Sequence, residues 1–198
     1  MKAPARRRVY LPASPTLLGQ WLAQGRVPAA QVAATVGAFA VTDRLRDFLP
    51  EADQEELEYQ AMLAAGEAAL HLIVHGLGGA ATGGSQTGPA EPAEAVQAAP
   101  RRSQGWRRVV LAMDASAVTD PDPNSHPASV LLDGATPVSD LISAQVDDEA
   151  SRPVLAAALD VLAGGAETGV DEALDRVGEH ALMWFDRTEL AQVARLPG

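Results

Sequence analysis

The stretch from Gly76 to Gly105 constrains this chain more than any other feature. It is built of Gly, Ala, Pro, Ser, Thr and Gln, with almost no large apolar side chain. Such a segment cannot bury enough surface to offset the entropy of ordering it, so residues 76–105 read as a disordered Gly/Ala/Pro linker. It divides the 198-residue chain into an N-terminal half, 1–75, and a C-terminal half, 106–198. That length serves one sizeable core or two small ones.

Both halves carry alternating strand and helix signals. In the first, Arg8 to Leu11 is a β-branched and aromatic run. Ser14 followed by Pro15 is a cap and first-turn pair, and Leu17, Leu18, Trp21 and Leu22 recur at helical spacing up to Gly25. Val36 to Val41 reads as a second strand. Thr42 or Asp43 then caps a short helix that Pro50 ends, and Asp53 opens the longest helix, to about His75.

In the second half, Arg108 to Met113 holds a nearly continuous apolar run, which suits a strand covered on both faces. Ser129 to Leu132 reads as a short edge strand and Ile142 to Val146 as another strand. Helices are expected over Arg152–Leu162, Asp171–Val177 and Glu189–Leu196, with a last strand at Ala181–Phe185. This rhythm predicts an α/β fold, with α+β as its nearest neighbour: a mixed, partly parallel sheet of about five strands, interrupted by the linker. The C-terminal half would complete the domain begun by the first.

Composition narrows the function classes. Aromatics are only 4%, so Ala, Val and Leu must fill most of the core. The net charge of −11 repels nucleic acid and anionic lipid at long range. There is no cysteine, which excludes thiol catalysis and Cys-based zinc sites. No apolar run approaches membrane-spanning length, and Pro12 and Pro15 break the stretch that would follow a charged leader, so a cytoplasmic protein is expected.

Six segments carry a resemblance. RVYLPAS (Arg8 to Ser14), AFAVTDRLR (Ala38 to Arg46), EELEYQAML (Glu55 to Leu63), RRVVLAMD (Arg107 to Asp114), VDDEA (Val146 to Ala150) and HALMWFDRTEL (His180 to Leu190) together resemble an uncharacterised actinobacterial family of small α/β proteins, a domain of unknown function. The resemblance implies a compact cytoplasmic α/β fold and carries no activity, ligand or catalytic residue with it.

The residues offer several candidate sites. Asp43, Asp114, Asp147, Asp148 and Asp186 fall at strand ends. On parallel strands they would gather on the carboxyl edge of the sheet, where α/β proteins bind ligands. Clustered carboxylates there would take a hard cation, and Asp114, Asp147, Asp148 and Asp186 would be the ligands of Mg²⁺ or Mn²⁺ in a metal-dependent hydrolase or phosphoesterase. The bland reading is that Asp43, Asp148 and Asp186 cap the helices they precede.

Arg6, Arg7 and Arg8 precede the first strand, and Arg107 and Arg108 precede the strand after the linker. Neighbouring parallel strands would bring them together as a local anion or RNA-fragment site, although neutralisation of nearby acids explains them more simply. Glu67, His71 and His75 stack at i, i+4, i+8 on one helix stripe, a spacing that suits a metal but coincides with the solvated face. His126 reads as a turn residue. His180 is a base without a nucleophile beside it, and Trp184 reads as core or core rim. Because no catalytic constellation is complete, the leading expectation is a non-enzymatic interaction or regulatory module with a protein partner and no cofactor.

Overall fold

The computed structural model describes residues 6–34, 37–74, 106–115, 118–119, 121, 124–164 and 169–197. The expected linker, 76–105, lies outside the described residues, as does His75.

Strand β1 (Arg7–Ala13) is buried over its last five residues. Ser14 ends it by capping α1 (Pro15–Gln24): its Oγ accepts the Leu17 N–H at 3.2 Å, and Pro15 stands where no amide donor is needed. Gly25, at φ 69°, supplies the left-handed residue that closes α1. Then come β2 (Arg26–Val27), α2 (Ala29–Ala34) and β3 (Ala38–Ala40). Thr42 caps α3 (Asp43–Phe48) by accepting the Leu45 N–H at 3.0 Å, and Asp53 does the same for Glu56 at the start of α4 (Gln54–Val74).

The second half begins with β4 (Val109–Ala115), β5 (Val118–Thr119), β6 (Ser129–Leu132) and β7 (Thr136–Pro137). A 3₁₀ turn (Val138–Asp140) leads into β8 (Leu141–Val146). Helices α5 (Arg152–Ala163) and α6 (Val170–Gly178) follow, then β9 (Met183–Asp186). A second 3₁₀ turn (Arg187–Glu189) leads into α7 (Leu190–Val193).

Among the described residues, seven strands form one sheet in the order β5-β6-β3-β1-β4-β8-β9, and β2 pairs with β7 as a separate ribbon. All pairings among the described residues are antiparallel, so the partly parallel sheet expected from the sequence is corrected. Two things produced that expectation. A continuous apolar run shows that a strand is covered on both faces, and antiparallel strands can be covered too. The connections also matter: β1 reaches β3 through α1 and α2, and β8 reaches β9 through α5 and α6. Two helices in succession return the chain to the end of the sheet it left, as the register of Val146 opposite Met183 records. A single crossover helix would have given a parallel neighbour.

The sheet has helices on both sides. One face buries Val9, Leu11, Val109, Leu111 and Met113 against Leu17, Leu18 and Trp21 of α1 and Leu190 and Val193 of α7. The other buries Tyr10, Phe39, Val110 and Ala112 against Leu45 of α3 and the Leu57, Ala61, Ala65 stripe of α4. A smaller cluster joins Leu70 of α4 to Leu155 and Ala158 of α5 and Val177 of α6. On β8 the register slips by one residue opposite Ala112 and Met113, which turns Leu141 onto the same core face as Ala144 and Val146. Ser143 and Gln145 therefore point to the α4 face, and at that edge the helix layer leaves the sheet partly uncovered.

Candidate functional site

The antiparallel sheet distributes the aspartates over both of its ends. Asp114, on β4, stands opposite Arg8, and its Oδ1 takes the Arg8 Nε at 2.9 Å. Asp147 follows β8 at the other end of β4, beside Arg108, with no exposed surface. Six residues of extended strand, roughly 20 Å, separate these two positions, far beyond the reach of one cation. Asp148 accepts the N–H and hydroxyl of Ser151 at 2.8 and 2.6 Å, and these bonds hold its carboxyl below the ordinary range. Asp186 accepts the N–H and hydroxyl of Thr188 and is lowered for the same reason, while Glu189 accepts the Asp186 N–H in return. Asp43 is the first residue of α3, where Thr42 is the cap. Among the described residues, no three His, Asp or Glu side chains lie close enough to hold a metal ion.

The arginines are separated by the same geometry. β1 and β4 are neighbours, but antiparallel, so Arg7 lies opposite Ala115 and the Arg6–Arg8 run sits at the far end of β4 from Arg107 and Arg108. Arg6 pairs with Asp140 at 2.7 Å. Arg107 bonds the Asp147 and Pro197 carbonyls and the Glu149 carboxylate, and stacks 4.6 Å over Trp106, with Arg152 5.5 Å from the same ring. Arg108 is buried and chelated by Asp147, whose oxygens lie 2.7 and 3.0 Å from Nη2 and Nε.

Two adjoining clefts lie over this last pair. The first, of about 310 Å³, runs between α3, α4 and α6, past Phe48, Gln60, Glu67, His126 and Asp175. The second, of about 330 Å³, lies between α4, the end of α6 and the β8–β9 edge, past Tyr59, Met62, Gln145, His180 and Trp184. Leu63, Arg108, Val177 and Gly178 line both, so the Arg108 guanidinium is part of a common floor. In the first cleft, burial holds the His126 imidazole below its ordinary 6.5, against the upward pull of Glu67. His126 Nδ1 accepts the Ala128 N–H at 3.1 Å, and its ring meets Phe39 edge-on at 5.9 Å. Glu67 thus acts on His126 from the helix stripe that it shares with His71.

The second cleft differs in character. Among the described residues no carboxylate lines it. Trp184 and Tyr59 remain 63% and 51% exposed. Gln145 Nε2 donates to Ser143 Oγ at 3.2 Å, while Gln145 Oε1 is buried and accepts nothing. Gln145 was not singled out from the sequence, and Trp184 was assigned to the core or its rim. A usable signal was present: Ser143 and Gln145 are two apart on a strand, a polar pair on one face of an otherwise apolar segment.

Fold and site together define a three-layer α/β/α protein with an antiparallel centre and adjoining, aromatic-rimmed surface clefts. The chain belongs to a family of unknown function (DUF6912), which matches residues 7–194 and so includes all six resembling segments. No curated protein and no solved structure matches the chain. Among the described residues, no helix is long and apolar enough to cross a membrane.

Proposed function

We propose that this protein is a non-enzymatic binding module, and that the adjoining clefts over Arg108 and Asp147 are its recognition surface. The observation that carries the reading is where the aromatic residues stand. The chain has only eight, three Phe, two Tyr and three Trp. Its core is filled largely by Ala, Val and Leu, yet Phe48, Tyr59 and Trp184 are left more than half exposed. All three line the clefts. Large apolar side chains withheld from a core that lacks them, and gathered at concave surface, are the usual anchors of recognition. The polar groups beneath are already engaged: Arg108 with Asp147, and His126 with the Ala128 amide. That favours a rigid floor over a reactive one.

A fragment screen by NMR on the ¹⁵N-labelled full chain tests this. Hits should shift the Trp184 indole and the amides lining the two clefts, and Trp184→Ala and Tyr59→Ala should weaken them while leaving the fold intact. Hits confined to other surfaces would sink the reading. So would turnover of a phosphoester or peptide substrate that a single Asp→Ala change abolishes.

A further inference from the structure

We propose that the adjoining clefts take a basic amphipathic helix of a partner protein, its apolar side chains in the trough beside α4 and its Lys or Arg side chains against Glu67 and Asp175. This rests on the binding-module reading above and adds the chemistry of the partner.

Shape comes first. The two clefts share Leu63, Arg108, Val177 and Gly178, so they form a continuous trough. From Tyr59 to Leu70 its lining follows α4 for roughly 16 Å, about three helical turns. The exposed Phe48 belongs to the first cleft, and the exposed Tyr59 and Trp184 to the second. A peptide helix of the same length offers apolar side chains at i, i+3 or i+4, and i+7, which is how an amphipathic helix fills an apolar groove.

Charge decides what kind of helix. Among the described residues, the charged side chains lining the trough are Glu67, Asp175 and Arg108. The Arg108 charge is matched by the fully buried Asp147, which leaves the two carboxylates facing solvent. The surrounding walls have the same sign. Helix α4 carries Glu55, Glu56, Glu58 and Glu67 and no Lys or Arg. Helix α6 carries Asp171, Glu172 and Asp175, and its one arginine, Arg176, is paired with Glu172. On α3, Arg44 and Arg46 balance Asp43 and Asp47 and bond the Ser125 carbonyl and Gln54. The net charge of −11 adds to this at long range, so a basic partner is attracted and an acidic one repelled.

The probes are two synthetic helices of about 14 residues, one with Leu on one face and Lys on the other, the second with Glu in place of Lys. Each is titrated into the ¹⁵N-labelled full chain at physiological ionic strength. The Leu/Lys helix should bind saturably and shift the Trp184 indole and the Leu63 and Val177 amides, and the Leu/Glu helix should not. The double variant Glu67→Gln with Asp175→Asn should weaken binding roughly fivefold. Asp133→Asn removes a charge beside β5, at the opposite edge of the sheet from β9, and should leave binding unchanged. Thermal melts report that the variants fold. Equal binding of the two helices, an undiminished affinity in the double variant, or an equal loss in Asp133→Asn overturns the basic partner and leaves the binding module standing. Shifts of the Trp184 indole with protein concentration alone would put a second copy of the chain in the trough and overturn it too. Failure of the Leu/Lys helix to move these signals also overturns it, and the fragment screen then decides separately whether the module reading falls with it.

Discussion

The fully buried Asp147 carboxylate accepts four hydrogen bonds from Arg108: Oδ2 takes the backbone N–H at 2.8 Å and the Nε at 3.0 Å, and Oδ1 takes the Nη2 at 2.7 Å and the Nε at 3.2 Å. One side chain therefore extends the β8–β4 ladder beyond its last strand pair, Val146 with Val109, and holds a guanidinium in the floor of both clefts. Removing one partner strands a buried charge. Asp147→Ala should lower the unfolding free energy by about 3–5 kcal/mol in urea titrations, and the double change Arg108→Met with Asp147→Leu should recover most of it. A loss below about 1 kcal/mol in the single variant would show that water reaches the pair.

The aromatic residues divide into core and surface, and their truncation should divide the same way. Trp21 is 1% exposed, packs against the sheet and donates its Nε1–H to Gln31 at 2.9 Å. Trp21→Ala should cost about 3–5 kcal/mol. Trp184→Ala and Phe48→Ala should stay within about 0.5 kcal/mol of the parent. A large stability loss at Trp184 would mean that the residue holds the fold together, which would remove the main support for a recognition surface.

Thr42 joins two distant parts of the chain through one hydroxyl. Its Oγ1 accepts the Leu45 N–H at 3.0 Å and donates to the Pro127 carbonyl at 2.5 Å. Thr42→Val keeps the shape and loses both bonds, so it should destabilise by about 1–3 kcal/mol, whereas Thr42→Ser should stay close to the parent. Equal melting temperatures for the Val and Ser variants would contradict this.

His126 supplies a pH dependence with a definite sign. Burial lowers its folded-state pKa below 6.5, so the unfolded chain binds the proton more readily. The stability contributed by the neutral ring is then complete above pH 6.5 and declines as the pH falls from there toward the folded value. Carboxylates titrate mostly below this window. Wild-type stability should fall between about pH 7 and 5, and His126→Asn, which retains an acceptor for the Ala128 N–H, should flatten that fall. An unchanged slope in the variant would exclude His126 as its source.

Asp148 and Asp186 separate the capping reading from the metal reading. With Asp148 holding the turn before α5 through Ser151 and Asp186 capping the second 3₁₀ turn, either residue changed to Ala should lower the melting temperature by the same amount with or without millimolar Mg²⁺ or Mn²⁺. A saturable ion-dependent rise in the parent that disappears in Asp186→Ala would support the metal-dependent reading instead.

Local structure was legible wherever one residue sets it. Ser14 and Pro15, Thr42, Asp53 and Gly25 mark helix ends by chemistry confined to a few neighbouring residues, and the structure places helix boundaries there. The apolar run Val109–Leu111 correctly signalled a strand covered on both faces. Strands β2, β5 and β7, two residues each, and the six-residue helix α2 carry too little periodicity to be seen, and of these β5 is the edge strand that the main sheet gains over the expected one.

The site was much less legible. The aspartates and arginines were recognised as unusual, but grouping them required knowing which strands are neighbours and which way each runs. That depends on contacts between residues distant in sequence, which no local pattern encodes. Antiparallel pairing set Asp114 against Arg8 and Asp147 against Arg108 at opposite ends of β4, and placed Gln145 opposite Trp184 on the neighbouring strand. The sequence by itself determined the elements and their caps, because those depend on local backbone and side-chain preferences. Only the tertiary structure decided which charges cancel and which polar atom stays unpaired, because both depend on packing across the sheet.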